Sequence, residues 1–177
     1  MNLKTFIVCL DKEKALNIAK DIIRINDELS IIPRFTTDTE YKDEVNENYI
    51  YYLDVNTVNL SYKNNALLYI KTNKYISSGI TIDDFYNNDV CYLTVEEFNS
   101  IPEIIFKKYD ILVVWVDTKN HKAISNSDLI EINYFNTFIT TINYLYFLEN
   151  EIEIHNTILE YIFGDEEKRK YLLEENN

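Results

Sequence analysis

Apolar residues along this chain fall in two rhythms, short continuous runs and stretches at helical spacing, and these alternate. Phe6 to Leu10 is a continuous run; after a short polar turn, Ala15, Leu16, Ile18, Ala19, Ile22 and Ile23 recur every three or four residues. This predicts a strand, a turn and an amphipathic helix ending near Asn26 and Asp27. Leu29 to Phe35 reads as a second strand in which Pro33 demands an edge or a bend. Thr36 to Asn48 is polar, with Asp38, Glu40, Asp43, Glu44 and Glu47, and reads as a loop. Tyr49 to Leu53 is a short strand, and Asp54 is placed to cap a helix from Val55 to Tyr62. Ala66 to Ile70 and Lys74 to Ser77 read as strands around a turn at Thr72 and Asn73, and Thr81 caps a short helix, Ile82 to Asn87.

The second half continues the alternation. Val90 to Leu93 is a short strand, and Thr94 with Glu97 three residues later is a capping box opening a helix. Pro102 is allowed in the first turn of the next. Tyr109 to Val116 is nearly all apolar and predicts a strand buried on both faces, as at the centre of a parallel sheet. From Ser127 to Glu149 the pattern turns helical and aromatic, a further helix runs from about Glu151 to Phe163, and Gly164 sits as its C′ residue before a charged tail, 165–177. Strands alternating with helices predict an α/β three-layer sandwich with a mainly parallel core sheet and a helical C-terminal segment, one domain over 1–177.

The first strand, turn and helix form the frame on which G-x-x-x-x-G-K-[ST] would cradle a phosphate at a helix N-terminus. On that frame Cys9 takes the first Gly, Lys14 the second, Ala15 the Lys and Leu16 the Ser/Thr, so the shape survives without its chemistry. Gly79 and Gly164 are the only glycines in the 177 residues, too few for any Gly-rich loop.

Charge narrows the partners. A net charge of −13 with arginine only at positions 24, 34 and 169 argues against nucleic acid, whose binding needs clustered cations, and favours basic partners. Cys9 and Cys91 lie in apolar strand-like runs and read as buried free thiols; neither has a histidine nearby in sequence, and no spacing suggests a metal or other cofactor. No run approaches the ~18 apolar residues of a membrane span, and no signal peptide is visible, so an intracellular, cytoplasmic location is expected. Richness in Asn, Ile, Lys and Tyr suggests an AT-rich genome, viral or otherwise.

Several residues carry a sharp and a bland reading. Arg34 is a phosphate or carboxylate contact or, more simply, a surface ion pair. His121 and His155 read as an exposed loop residue and a helix-surface residue. The neighbours Asp83 and Asp84, like Glu96 and Glu97, diverge on a helix and read as caps and solvated faces rather than acid/base pairs. The aromatic belt is different: apolar side chains between Ile130 and Leu148 fall on nearly every side of a helix, which implies a second packing partner. That partner is the final helix, a second copy of the chain or another protein, the last two met through Tyr134, Phe138, Tyr144 and Phe147.

The order of elements over roughly residues 3 to 118 resembles a P-loop nucleoside monophosphate kinase, most of all guanylate kinase. The likeness rests on the strand, loop and helix of Phe6 to Lys20, on Pro33-Arg34-Phe35-Thr36-Thr37, on Tyr51-Tyr52-Leu53-Asp54, on Asn65 to Tyr69 and on Tyr75 to Gly79. It implies a guanylate-kinase-like fold and an acceptor pocket outlined by Arg34, Thr36, Thr37 and Tyr75. The family's base-reading acid falls at Tyr69, its aspartate-bearing strand at Cys91-Tyr92-Leu93-Thr94, and its arginine-rich lid at Thr118 to Ser127, which offers only Lys119, His121 and Lys122. Lysine does not reproduce arginine's fixed fork of donors. The expectation is therefore a catalytically inactive kinase-like protein that works as an interaction or structural module; the alternative is a nucleotide-binding protein or divergent kinase using the remnant acceptor pocket.

Overall fold

The computed structural model describes residues 3–42, 48–117 and, as backbone, 137–143. Its centre is a four-stranded, all-parallel sheet in the order β6-β1-β7-β8, formed by β1 (Leu3–Cys9), β6 (Val90–Leu93), β7 (Asp110–Asp117) and β8 (Thr137–Asn143). The period of two sorts side chains cleanly to its faces. Leu3, Ile7, Cys9, Tyr92, Leu112 and Val114 meet the apolar stripe of α1 (Lys12–Ile25), namely Ala15, Leu16, Ile18, Ala19 and Ile22. Phe6, Val8, Cys91, Leu93, Val113 and Trp115 face the other way. There they pack on Phe85 of α3 (Ile82–Asn87), Phe98 of α4 (Val95–Asn99), and Ile105 and Phe106 of α5 (Glu103–Lys108). Phe6 lies near the middle of this aromatic cluster, about 6 Å from the rings of Phe85, Phe98 and Phe106 (6.0, 6.1 and 6.0 Å). Helices on both faces of a parallel sheet give the expected three layers.

The stretch between α1 and α3 builds a second, mixed sheet in the order β3-β2-β5-β4, from β2 (Arg34–Thr36), β3 (Ile50–Tyr52), β4 (Leu67–Asn73) and β5 (Ile76–Thr81), with α2 (Val55–Lys63) between β3 and β4. Only β2 and β3 run parallel; the other neighbours are antiparallel. The hairpin turn falls at Lys74 and Tyr75, two residues later than Thr72 and Asn73, with Lys74 in the left-handed region at φ 55°. Pro33 separates β2 from Ile31, which instead bridges to Val90 at the edge of the parallel sheet. One apolar run thus serves two sheets, and the proline marks the transfer.

Local capping follows the sequence. Asp54 accepts from the N–H groups of Asn56 and Thr57, Thr81 accepts from Asp84, and Thr94 and Glu97 form the reciprocal box. The aromatic helix expected from Ser127 to Glu149 is overturned between 137 and 143, where β8 extends the parallel sheet beside β7. The segment Thr-Phe-Ile-Thr-Thr-Ile-Asn is dominated by β-branched residues, which lose side-chain freedom in a helix and fit a pleated surface. Phe138 is therefore a strand residue. Tyr134, Tyr144, Phe147, the lid from Thr118 to Ser127, the final helix, His155, Gly164 and the tail lie outside the described residues. Among the described residues no helix is long and apolar enough to cross a membrane.

Candidate functional site

Neighbouring parallel strands bring their carboxyl ends to one edge of the sheet, and in open α/β sheets this edge is where clefts form. β1 ends at Cys9 and only Leu10 and Asp11 separate it from α1. That turn is too short to wrap a phosphate. Asp11 also closes the helix end itself, its Oδ1 accepting from the N–H groups of Glu13 at 3.0 Å and Lys14 at 3.5 Å. Those are donors that an anion at a helix N-terminus would otherwise use. Of the four positions set against the phosphate-loop pattern, Cys9, Ala15 and Leu16 are buried core residues, and Lys14 lies 3.9 Å from the Asp11 carboxylate. Burial pushes the Cys9 thiol up, and Cys91, enclosed between the sheet and its helices, is pushed up to about 12, so both stay protonated.

Beside this turn, β6 ends at Leu93 and the capping box begins, which sets Glu97 opposite Lys12. Glu97 is 4% exposed, so its reading as a solvated cap is overturned; only Glu96 is solvated, paired with Lys71. Glu97 Oε1 accepts from Lys12 Nζ at 2.8 Å and from the Tyr69 hydroxyl at 3.0 Å. Its Oε2 accepts from the Thr94 N–H at 2.9 Å and lies 2.9 Å from Arg34 Nη2, an ion pair off hydrogen-bond geometry. Arg34 is 3% exposed, not the surface residue of the simpler reading. Its Nη1 donates to the Tyr92 carbonyl at 3.2 Å and its guanidinium lies over the Tyr92 and Tyr69 rings, 4.9 and 5.8 Å from their centroids.

Electrostatics follow from this geometry. Burial alone would raise Glu97, but Arg34 and Lys12 outweigh it and hold the carboxyl down to about 2. Burial, with the Arg34 charge beside it, lowers Lys12. The Arg34 guanidinium loses hydration, yet Glu97 keeps its pKa above the ordinary value. Burial and the adjacent Glu97 push the Tyr69 hydroxyl up, so it serves as a neutral donor.

Lys12, Thr94, Glu96 and Glu97 on the parallel-sheet side and Lys71, Asn73, Ile76 and Ser78 on the mixed-sheet side line a cleft of ≈ 550 Å³, with Leu10 and Val95 at its wall. The expected acceptor set does not converge here. Thr36 Oγ1 accepts from the Asp38 N–H at 3.2 Å and Thr37 Oγ1 from the Ser77 N–H at 2.8 Å, both buried structural contacts. Tyr75 is 94% exposed at the hairpin tip and is not part of the cleft lining. In sequence Lys12 carries no assigned role and Glu97 only that of a cap; the signal available for their meeting is that each lies in the first turn of the helix that follows an apolar strand, and such strands pair side by side. Among the described residues no group of three or more His, Cys, Asp or Glu is placed to hold a metal.

No protein-family model matches the chain, and no curated protein does. Among solved structures, the chain is similar to the guanylate kinase from Anaplasma phagocytophilum at 9% identity and a TM-score of 0.46, over 88% of this chain and 85% of that one.

Proposed function

We propose that this chain is a non-catalytic protein on a nucleotide-kinase-like frame, working as an interaction or structural module, of viral origin as its composition suggests. The observation that carries the reading is the self-sufficiency of the phosphate-handling edge. Asp11 caps α1, Leu16 fills the core where a magnesium-binding hydroxyl would stand, and the Glu97 carboxylate engages Lys12 and Arg34. Phosphoryl transfer is almost entirely positioning and electrostatic stabilisation, so a site whose cations are already neutralised has little to offer it. An interaction role draws support from the apolar side chains left in solvent: Val55, Leu60 and Tyr62 on α2 and Tyr75 and Ile76 on the hairpin. The acidic balance of the chain favours a basic protein partner. The purified protein, given Mg-ATP and each nucleoside monophosphate, is expected to form no diphosphate above a protein-free control. Product formation would overturn the reading.

A second reading, nucleotide binding, is favoured by one observation. The cleft of ≈ 550 Å³ lies within the ~300–1,000 Å³ of small-molecule pockets and opens at the carboxyl ends of β1 and β6. It requires Lys12 or Lys71 to exchange a glutamate for a phosphate, and titration with mono- and triphosphates separates it from the first.

A further inference from the structure

Lys12, Arg34 and Tyr69 come from α1, β2 and β4, yet all three, with the Thr94 N–H, surround one carboxylate. An ammonium, a guanidinium, a neutral phenol and a backbone N–H are the donor types that bind oxyanions. Much of this set is held by contacts other than Glu97. Arg34 Nη1 is anchored on the Tyr92 carbonyl and its plane rests against the Tyr92 ring, while Lys12 is fixed at the start of α1 by the tight turn after β1. Lys12 and Glu97 also line the cleft, so the carboxylate sits between the cavity and the buried Arg34 guanidinium. Arg34 Nη2 lies 2.9 Å from Oε2 as an ion pair.

We propose that Lys12, Arg34 and Tyr69 form an oxyanion-binding site whose resident ligand is the chain's own Glu97 carboxylate, an autoinhibitory contact that keeps external carboxylates and phosphates out of the cleft. The inference rests on the reading that the native protein leaves phosphate groups unbound, and it supplies the device responsible. Truncating the side chain should open the site to a free anion of the same chemistry. In the low-dielectric surroundings of Arg34 an unfilled site leaves a buried charge without its partner, so the anion should be taken up with a gain in stability.

The test is thermal unfolding of the full chain and its Glu97→Ala variant at neutral pH in sodium chloride, sodium acetate and sodium phosphate at matched ionic strength. Glu97→Ala is expected to unfold at a lower temperature in chloride and to recover by about 3–6 °C at ~100 mM acetate, saturably. The native chain is expected to show no difference between acetate or phosphate and chloride. Glu97→Gln, which keeps the volume filled, should show no anion response, and adding Lys12→Ala to Glu97→Ala should abolish it. If Glu97→Ala fails to fold in chloride, cooperative unfolding regained in acetate carries the same meaning. Absence of recovery in either anion, or an equal shift in the native chain, overturns the proposal. Nucleotide binding by the native chain would count against the non-catalytic reading, whereas this inference is decided by the variant's response to simple anions.

Discussion

Glu97 is the residue on which the site turns, and its titration makes the interaction measurable. Its folded-state pKa of about 2 is below the ordinary 4.5, so the ionised form is favoured by folding. The resulting stabilisation, about 3 kcal/mol, is present above pH 5 and is lost as pH falls through 4.5 towards 2. Glu97→Gln is predicted to destabilise the protein by about 3–5 kcal/mol at pH 7, because Arg34 is left buried without its counter-charge. It should also flatten the stability profile between pH 5 and 2; denaturant unfolding across that range checks both, and an unchanged slope would remove Glu97 as the source. Little of this was visible in sequence. The capping box was legible because it is local, whereas the partners Arg34 and Tyr69 are distant in the chain and become neighbours only when the mixed sheet docks against α4. Lys4 makes the same point: it is 2% exposed inside β1, donating to the carbonyls of Tyr86 in the last turn of α3 and of Asn88 just past it, partners far away in the chain.

At the scale of elements, strands and caps were legible where periodicity and end chemistry agree, as in β1, α1, β6 and β7. The segment at 137–143 reads as helix in sequence because aromatic and aliphatic residues satisfy both periods, whereas its threonines and isoleucines favour the strand that forms. The β1–α1 turn yields a prediction of its own. Replacing Lys14-Ala15-Leu16 by Gly-Lys-Ser should not create ATP binding. Ala15 is wholly buried and Leu16 is 8% exposed, so the change puts a lysine into the core and a hydroxyl at a leucine site. The Leu16→Ser component alone should cost about 1–3 kcal/mol. Micromolar ATP affinity of the triple variant would show that the two-residue turn is no obstacle. In the mixed sheet, Gly79 is required by space: a Cβ there would run into the Tyr69 carbonyl oxygen and lie 2.9 Å from the Phe35 ring. Gly79→Ala is predicted to lose at least about 1–3 kcal/mol, seen as a lower denaturant midpoint.

Across the whole molecule, two sheets are joined by polar contacts at the one edge where this architecture places ligands. Arg34 and Tyr69 reach from the mixed sheet and Lys12 from α1, which packs on the parallel one, so the carboxylate between them stands where a bound anion would otherwise bridge the halves. An interaction module with exposed α2 and hairpin side chains is predicted to sediment, at micromolar concentration, as more than the 21.1 kDa of one chain or to shift on addition of a basic partner. A single 21.1 kDa species under all conditions would leave the interaction role without support. The central proposal, that the chain handles no phosphate, is met most directly by calorimetric titration of the native protein with Mg-ATP, Mg-GTP, AMP and GMP. Flat traces at millimolar ligand are predicted, and saturable heat with any one of them, at one site per chain, would contradict the account.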